Sequence, residues 1–107
     1  MKNTQNIVVM ITAGSRKEAE KIKDVLLAKK LVACVNIMGG VKSYFWWKDK
    51  INSCPEVLLL AKTKRKLFQK IIRVVKKVHS YEVPEVIALP IIAGSQEYLD
   101  WLTTSCS

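Results

Sequence analysis

The first apolar run, Ile7-Val8-Val9-Met10-Ile11-Thr12, is dense in β-branched residues, has no helical spacing and is followed by Gly14-Ser15, which predicts a buried strand and its stop. Ser15-Arg16-Lys17-Glu18 has the form of a capping box, so a helix is expected to begin at Ser15. Ala19, Ile22, Val25 and Leu26 continue it at a 3-to-4 residue period with lysines on the wet side, out to about Lys30.

Alternation returns at Leu31. Leu31 to Met38, the bend Gly39-Gly40 and Val41 to Trp47 predict one long strand; Lys48-Asp49-Lys50 is a polar turn, and Ile51 to Lys62 is the returning strand, with Pro55 suited to a bulge or an edge. Thr63 is placed to cap a second helix whose apolar stripe is Leu67, Ile71, Val74, Val75 and Val78, ending near His79. Tyr81 to Pro84 reads as a loop, Glu85 to Ile92 as a last strand, and Gly94-Ser95 opens a short helix through Tyr98, Leu99, Trp101 and Leu102. The order βαββαβ plus a C-terminal helix predicts an α+β fold of the ferredoxin-like sandwich type, a single domain over residues 1–107.

The hairpin is longer than such a domain needs. An arm of a dozen residues reaches about 40 Å at ~3.3 Å per residue, so its outer half is expected to overhang the body. Tyr44, Phe45, Trp46 and Trp47 would then lie on an uncovered ribbon, and neighbouring copies of the chain are the natural cover, with Phe45, Trp46 and Trp47 as interface residues. Folding back over the chain's own sheet is the alternative.

Composition narrows the classes. At 107 residues there is room for one core and no second unit. The longest apolar runs fall far short of the roughly 20 residues of a membrane span, and the N-terminal residues lack the pattern of a signal peptide, so a cytoplasmic protein with no membrane partner is expected. Cys34, Cys54 and Cys106 are odd in number and widely spaced, which fits reduced thiols better than a disulfide framework or zinc knuckle, with Cys34 expected to be buried as a small hydrophobe.

The formal charge of +9 raises nucleic-acid binding, and an RNA-recognition domain shares the βαββαβ order. Seven of the 18 basic residues, however, fall between Lys64 and Lys77, on a helix, and Val41 to Lys48 lacks the glycine-flanked aromatic pattern that reads bases. The run reads as a solvated helix face, and no nucleic-acid partner is expected.

Four blocks in order resemble the CutA divalent-cation-tolerance family over nearly the whole chain: Leu31 to Ile37, Ser43 to Trp47 with Ile51, Glu56 to Thr63, and His79 with Tyr81 to Glu85 followed by Tyr98-Leu99-Asp100-Trp101. The resemblance implies a ferredoxin-like subunit, a homotrimer joined through the hairpins and similar in arrangement to PII signalling proteins, and a role in tolerance to divalent metals such as copper. The chain departs from the family pattern at Gly14 and Ser80, where proline is common, at Asp49, where glycine is common, and at Phe45, where tyrosine is common. Ile11 stands where the family's metal-binding descriptions place a cysteine.

His79, the only histidine, is the candidate metal residue, close in sequence to Glu82 and Glu85; Cu(II) or another divalent metal would accept imidazole and carboxylate. The bland reading is a helix-terminal packing residue. Cys34, Lys62, Tyr81, Glu82 and Glu85 form the candidate ligand-binding set, with a carboxylate reaching Lys62 across a subunit cleft, either to hold a small ligand or as a structural ion pair. No spacing names a nucleophile and base, so no catalytic residue is assigned and an enzyme is not expected.

Overall fold

In the computed structural model, which describes residues 5–107, the central strand β1, Asn6–Ala13, pairs antiparallel with β3, Lys50–Lys64, on one side and with β4, Val86–Pro90, on the other. β2, Cys34–Trp47, completes the sheet beside β3, giving the order β2-β3-β1-β4. Three helices accompany it: α1, Arg16–Ala28, α2, Phe68–Val78, and α3, Gln96–Ser105. This is the expected ferredoxin-like α+β sandwich with its added C-terminal helix.

Strand alternation sets the core. Ile7, Val9, Ile11 and Ala13 of β1, with Val57, Leu59 and Ala61 of β3, are buried against Ala19, Ile22 and Leu26 of α1 and Ile71 and Val75 of α2. Truncating a fully buried residue of this set, such as Leu59→Ala, is worth about 2–5 kcal/mol. Ile11, at the position of the family's cysteine, belongs to this core. The other face of the sheet carries Met38, Ile87 and Leu89, all exposed.

Several local features differ from the sequence reading. Ser15 caps α1 as expected, its Oγ accepting the Glu18 N–H at 3.1 Å, but the Glu18 carboxylate does not return to Ser15: it accepts N–H groups of Gly14 and Ser80. α1 ends in a Schellman arrangement, the N–H groups of Lys30 and Leu31 reaching back to the carbonyls of Leu27 and Leu26, with Lys30 in the left-handed region at φ 58°. That exit carries Leu31 and Val32 into the core before β2 begins at Cys34. Thr63 is no helix cap. β1 keeps β3 extended as far as Lys64, and the Thr63 hydroxyl donates to the Leu31 carbonyl instead; a 3-10 turn, Arg65–Leu67, then leads into α2 with no side-chain cap.

The hairpin overhangs the body. β3 pairs with β1 only from Val57 to Lys64, so Lys50 to Glu56 pairs with β2 alone, an arm on the order of 20 Å at about 3.3 Å per residue. Register slips between Met38 and Val41: Met38 faces Leu58 and Val41 faces Glu56, so β2 holds one extra residue at Gly39-Gly40, where Gly40 has φ 78°. The bulge puts Val41, Ser43, Phe45 and Trp47 on the same face as Cys34, Asn36 and Met38. At the tip, Lys48 and Asp49 both have positive φ, 52° and 64°, as a two-residue type I′ turn requires.

Candidate ligand-binding cleft

Beneath the arm, where the connection from α2 to β4 crosses the end of β1, lies a cavity of about 690 Å³. Ser43, Phe45 and Trp47 of β2 and Cys54 and Glu56 of β3 share the face that lines it, because cross-strand partners point to the same side. Thr12, Tyr44 and the connection residues Tyr81, Glu82, Val83 and Glu85 close the remainder.

Glu56 is the floor of this cleft. It is 8 % exposed, and its two carboxylate oxygens accept the Ser43 hydroxyl at 2.5 Å and the Tyr81 hydroxyl at 2.6 Å. Burial, and the loss of the bond to Glu56 that ionisation would bring, push the Tyr81 phenol far above its ordinary range. Tyr81 is thereby a neutral donor that joins the connection to the base of the arm.

Tyr81 is held by His79. The His79 side chain is fully buried, its Nε2 lies 2.7 Å from the Thr12 carbonyl, and its Nδ1 accepts the Tyr81 N–H at 3.1 Å. A carbonyl only accepts and an amide N–H only donates, so the ring carries its proton on Nε2 and both nitrogens are engaged. The two rings also pack, centroids 4.6 Å apart. Glu18 fastens the same connection from the other side: Oε2 accepts the Ser80 N–H at 2.7 Å and Oε1 the Gly14 N–H at 3.0 Å. Burial raises its pKa, and these bonds outweigh burial and hold the carboxyl below its ordinary value. A proline at Gly14 or Ser80, as the family pattern has it, would remove one of the two donors.

The cleft therefore brings together Tyr81, Glu82 and Glu85 of the predicted set, together with Phe45 and Trp47, which were read as interface residues. Cys34 and Lys62 lie elsewhere. They face each other across β2 and β3 toward the opposite end of the sheet, where the Lys62 amine donates to Asn36 and the Cys34 thiol lies 3.7 Å from the Tyr98 hydroxyl, whose pKa this contact and burial raise. Cys34 is half-buried, against the expectation of a core thiol; Cys106 is the buried one. Glu56, Ser43 and Thr12 escaped the sequence reading, since Glu56 opens an apolar strand and its partners are remote; a lone carboxylate at the head of Val57-Leu58-Leu59-Leu60 is the signal that was there.

Fit to a metal is poor within one copy. Among the described residues no three His, Cys, Asp or Glu side chains are grouped to hold an ion, and His79 has no free nitrogen. No helix of the described residues is long and apolar enough to cross a membrane. Of the basic run, Lys64 ends β3 and is buried and Lys66 lies exposed in the 3-10 turn, while Lys70, Arg73, Lys76 and Lys77 form an exposed, solvated face of α2.

Comparison with known proteins matches the sequence profile of the CutA1 divalent ion tolerance protein family to residues 7–105. The divalent-cation tolerance protein CutA of Archaeoglobus fulgidus is 46% identical over 94 residues, 88% of this chain and 91% of that protein. Its Thermus thermophilus counterpart is 45% identical over 95 residues, 89% and 92% of the two chains. The chloroplastic CutA of Arabidopsis thaliana is 42% identical over 97% of this chain, which spans only 57% of that longer protein. Among solved structures, the divalent cation tolerance protein Cut A1 from Thermus thermophilus superposes with a TM-score of 0.93 at 42% identity, covering 95% of this chain and 99% of that one. CutA1 from Oryza sativa gives 0.93 at 39% identity, with 98% of each chain covered. These matches favour that family over the RNA-recognition alternative.

Proposed function

Because this chain belongs to the CutA1 divalent ion tolerance protein family, we propose that it acts as a homotrimeric, non-catalytic binding protein that takes a small ligand at the border between subunits, in the manner of PII signalling proteins, in the service of divalent-cation homeostasis. The observation that carries this reading is the uncovered arm. Trp46 is 71 % exposed and its cross-strand partner Ile51 67 %, on the side of the arm away from the cleft, while Met38, Ile87 and Leu89 leave an apolar strip on the open sheet face. Apolar surface of this extent on a small basic chain calls for other copies.

In such an assembly the cleft of one copy would meet the Cys34, Lys62 and Tyr98 group of the next, uniting the two halves of the predicted ligand set. Copper or another divalent ion would have to draw donors from two copies, with Glu82 and Glu85 better placed than His79. The cleft's hydroxyls and thiol lack a free imidazole base, which supports binding over catalysis. Three unpaired cysteines favour a reducing compartment, the cytosol.

Light scattering across a wide concentration range tests the assembly. A mass of about 36 kDa, three times 12.1 kDa, is expected; one subunit's mass throughout would end the proposal.

A further inference from the structure

We propose that the outer side of α2 is a docking surface for nucleic acid, which it holds through the phosphate backbone without regard to base sequence. The surface belongs to the helix layer, on the side away from the open sheet face and the arm, so it stays uncovered in the proposed trimer and does not depend on it. The sheet, with which an RNA-recognition domain reads bases, has no part in it.

The charge of the chain is concentrated there. Residues 65–78 hold six of the 18 basic residues and no acidic one, a net of +6 out of +9; the remaining 93 residues hold twelve basic and nine acidic, a net of +3. Lys66, Lys70, Arg73 and Lys77 follow at intervals of four, three and four, which makes one row of about 16 Å at 1.5 Å per residue, opposite the buried Ile71 and Val75 and with Lys76 beside it. All five are exposed, and none forms an ion pair with a described residue. Neighbours in the row stand about 5–6 Å apart at Cβ, within the Debye length of about 8 Å, so a polyanion meets them as one field.

The row works against the helix that carries it. Like charges three or four residues apart repel, and Lys66 with Lys70, Lys70 with Arg73 and Arg73 with Lys77 are three such pairs in succession. Lys76 and Lys77 suit the C-terminal end of the α2 dipole, but Lys66 and Lys70 stand at its N-terminal end, where carboxylates are favoured, none is present and no side chain caps the helix. α1, in the same layer, is built the ordinary way: Ser15 caps it, Glu18 lies in its first turn, and Glu20 and Asp24 lie 2.9 and 2.8 Å from the Lys23 amine. A face that only had to stay wet gains nothing from charge of a single sign, whereas an external line of anions turns the repulsion into attraction.

Geometry separates nucleic acid from other anionic partners. The apolar side of α2 is committed to the core, so nothing on it can enter a bilayer, and a single row matches a line of phosphates better than a plane of headgroups. A duplex offers one phosphate per about 3.4 Å of axis on each strand, about twice the density of carboxylates on one face of an extended acidic peptide. Gln69 is the only amide beside the row and no aromatic side chain is exposed on α2, so phosphates are gripped and base edges are not read.

Fluorescence anisotropy of a labelled DNA duplex of mixed sequence and about 20 base pairs, titrated with the full chain at several salt concentrations, is the test. Saturable binding is expected at about 50 mM salt, with log affinity falling against log salt at a slope of about −4, as four or five neutralised phosphates require. Lys66→Glu together with Lys70→Glu should weaken binding about tenfold or more and leave the melting temperature no lower than wild type, because carboxylates suit the start of α2; a variant that failed to fold could not do both. Lys17→Glu together with Lys21→Glu, the same charge change at exposed positions of α1, should weaken binding by no more than about a third of that factor. No saturable binding at low salt, equal weakening by the two pairs, or binding of phosphatidylserine vesicles or polyglutamate in preference to the duplex would overturn the proposal.

Discussion

The imidazole of His79 is bonded to the Thr12 carbonyl at 2.7 Å, which ties the end of α2 to the end of β1 and leaves the ring no lone pair facing solvent. His79→Ala would strand the buried Thr12 carbonyl and the Tyr81 N–H, at a cost of about 1–3 kcal/mol. Chemical denaturation should record that loss, while Cu(II) isotherms of wild type and variant should coincide. A copper affinity lost with His79 would show that the ring leaves this position to bind metal.

Glu18 gives a pH dependence of definite sign. Its folded pKa is depressed from 4.5, so its contribution is complete above that value and is lost as pH falls through the lower, folded pKa. Glu18→Gln should therefore lower stability at neutral pH by about 1 kcal/mol and flatten the acid limb of the stability profile below about pH 4.5. Gly14→Pro or Ser80→Pro, each removing one N–H donor, should produce part of the same flattening. A variant whose acid limb still matches wild type would show that Glu18 is not held by these bonds.

At the hairpin tip, Asp49 occupies the left-handed region at φ 64°. Glycine adopts that conformation without the Cβ clash, so Asp49→Gly should stabilise the chain by about 0.5–1 kcal/mol and raise the melting temperature by a few degrees at fixed protein concentration. A lower melting temperature would mean that Asp49 makes a compensating contact in the assembly.

Trp46 and Ile51 oppose each other on the outer face of the arm, away from Glu56. Replacing both by serine should reduce the mass seen by light scattering from three chains toward one and leave the circular dichroism of the subunit unchanged, since neither side chain enters its core. If the double variant keeps the wild-type mass, the assembly is joined through the open sheet face instead.

Wherever neighbours in sequence are neighbours in space, the chain was legible before its structure. The order of elements, the Ser15 cap, the long hairpin and the apolar stripe of α2 all follow from local period and turn chemistry. Thr63 was misread because a β-branched residue with a hydroxyl suits a strand and a cap alike, and only the pairing of Asn6 with Lys64 decides between them. Glu56 was passed over for a related reason. Its partners Ser43 and Tyr81 lie 13 and 25 residues away, and no pattern along the chain announces that both hydroxyls turn toward one carboxylate. His79 looked like a ligand or a helix-dipole residue until Thr12, 67 residues distant, was found at its Nε2.

The extra residue at Gly39-Gly40 works as a phase shift along the arm. Downstream of it, odd-numbered side chains of β2 occupy the side that even-numbered ones hold upstream. Closing the bulge with both glycines kept and Met38 still paired with Leu58, so that Gly40 faced Glu56, would return the strand to its original phase, carrying Lys42 to the place of Ser43 and exchanging Phe45 and Trp47 for Tyr44 and Trp46. The carboxylate of Glu56 would lose a hydroxyl and gain an ammonium, and the aromatic row on the outer face of the arm would be exchanged for the one beside Glu56. A single extra residue thus decides which aromatics of the tip share a face with Glu56 and which share one with Ile51.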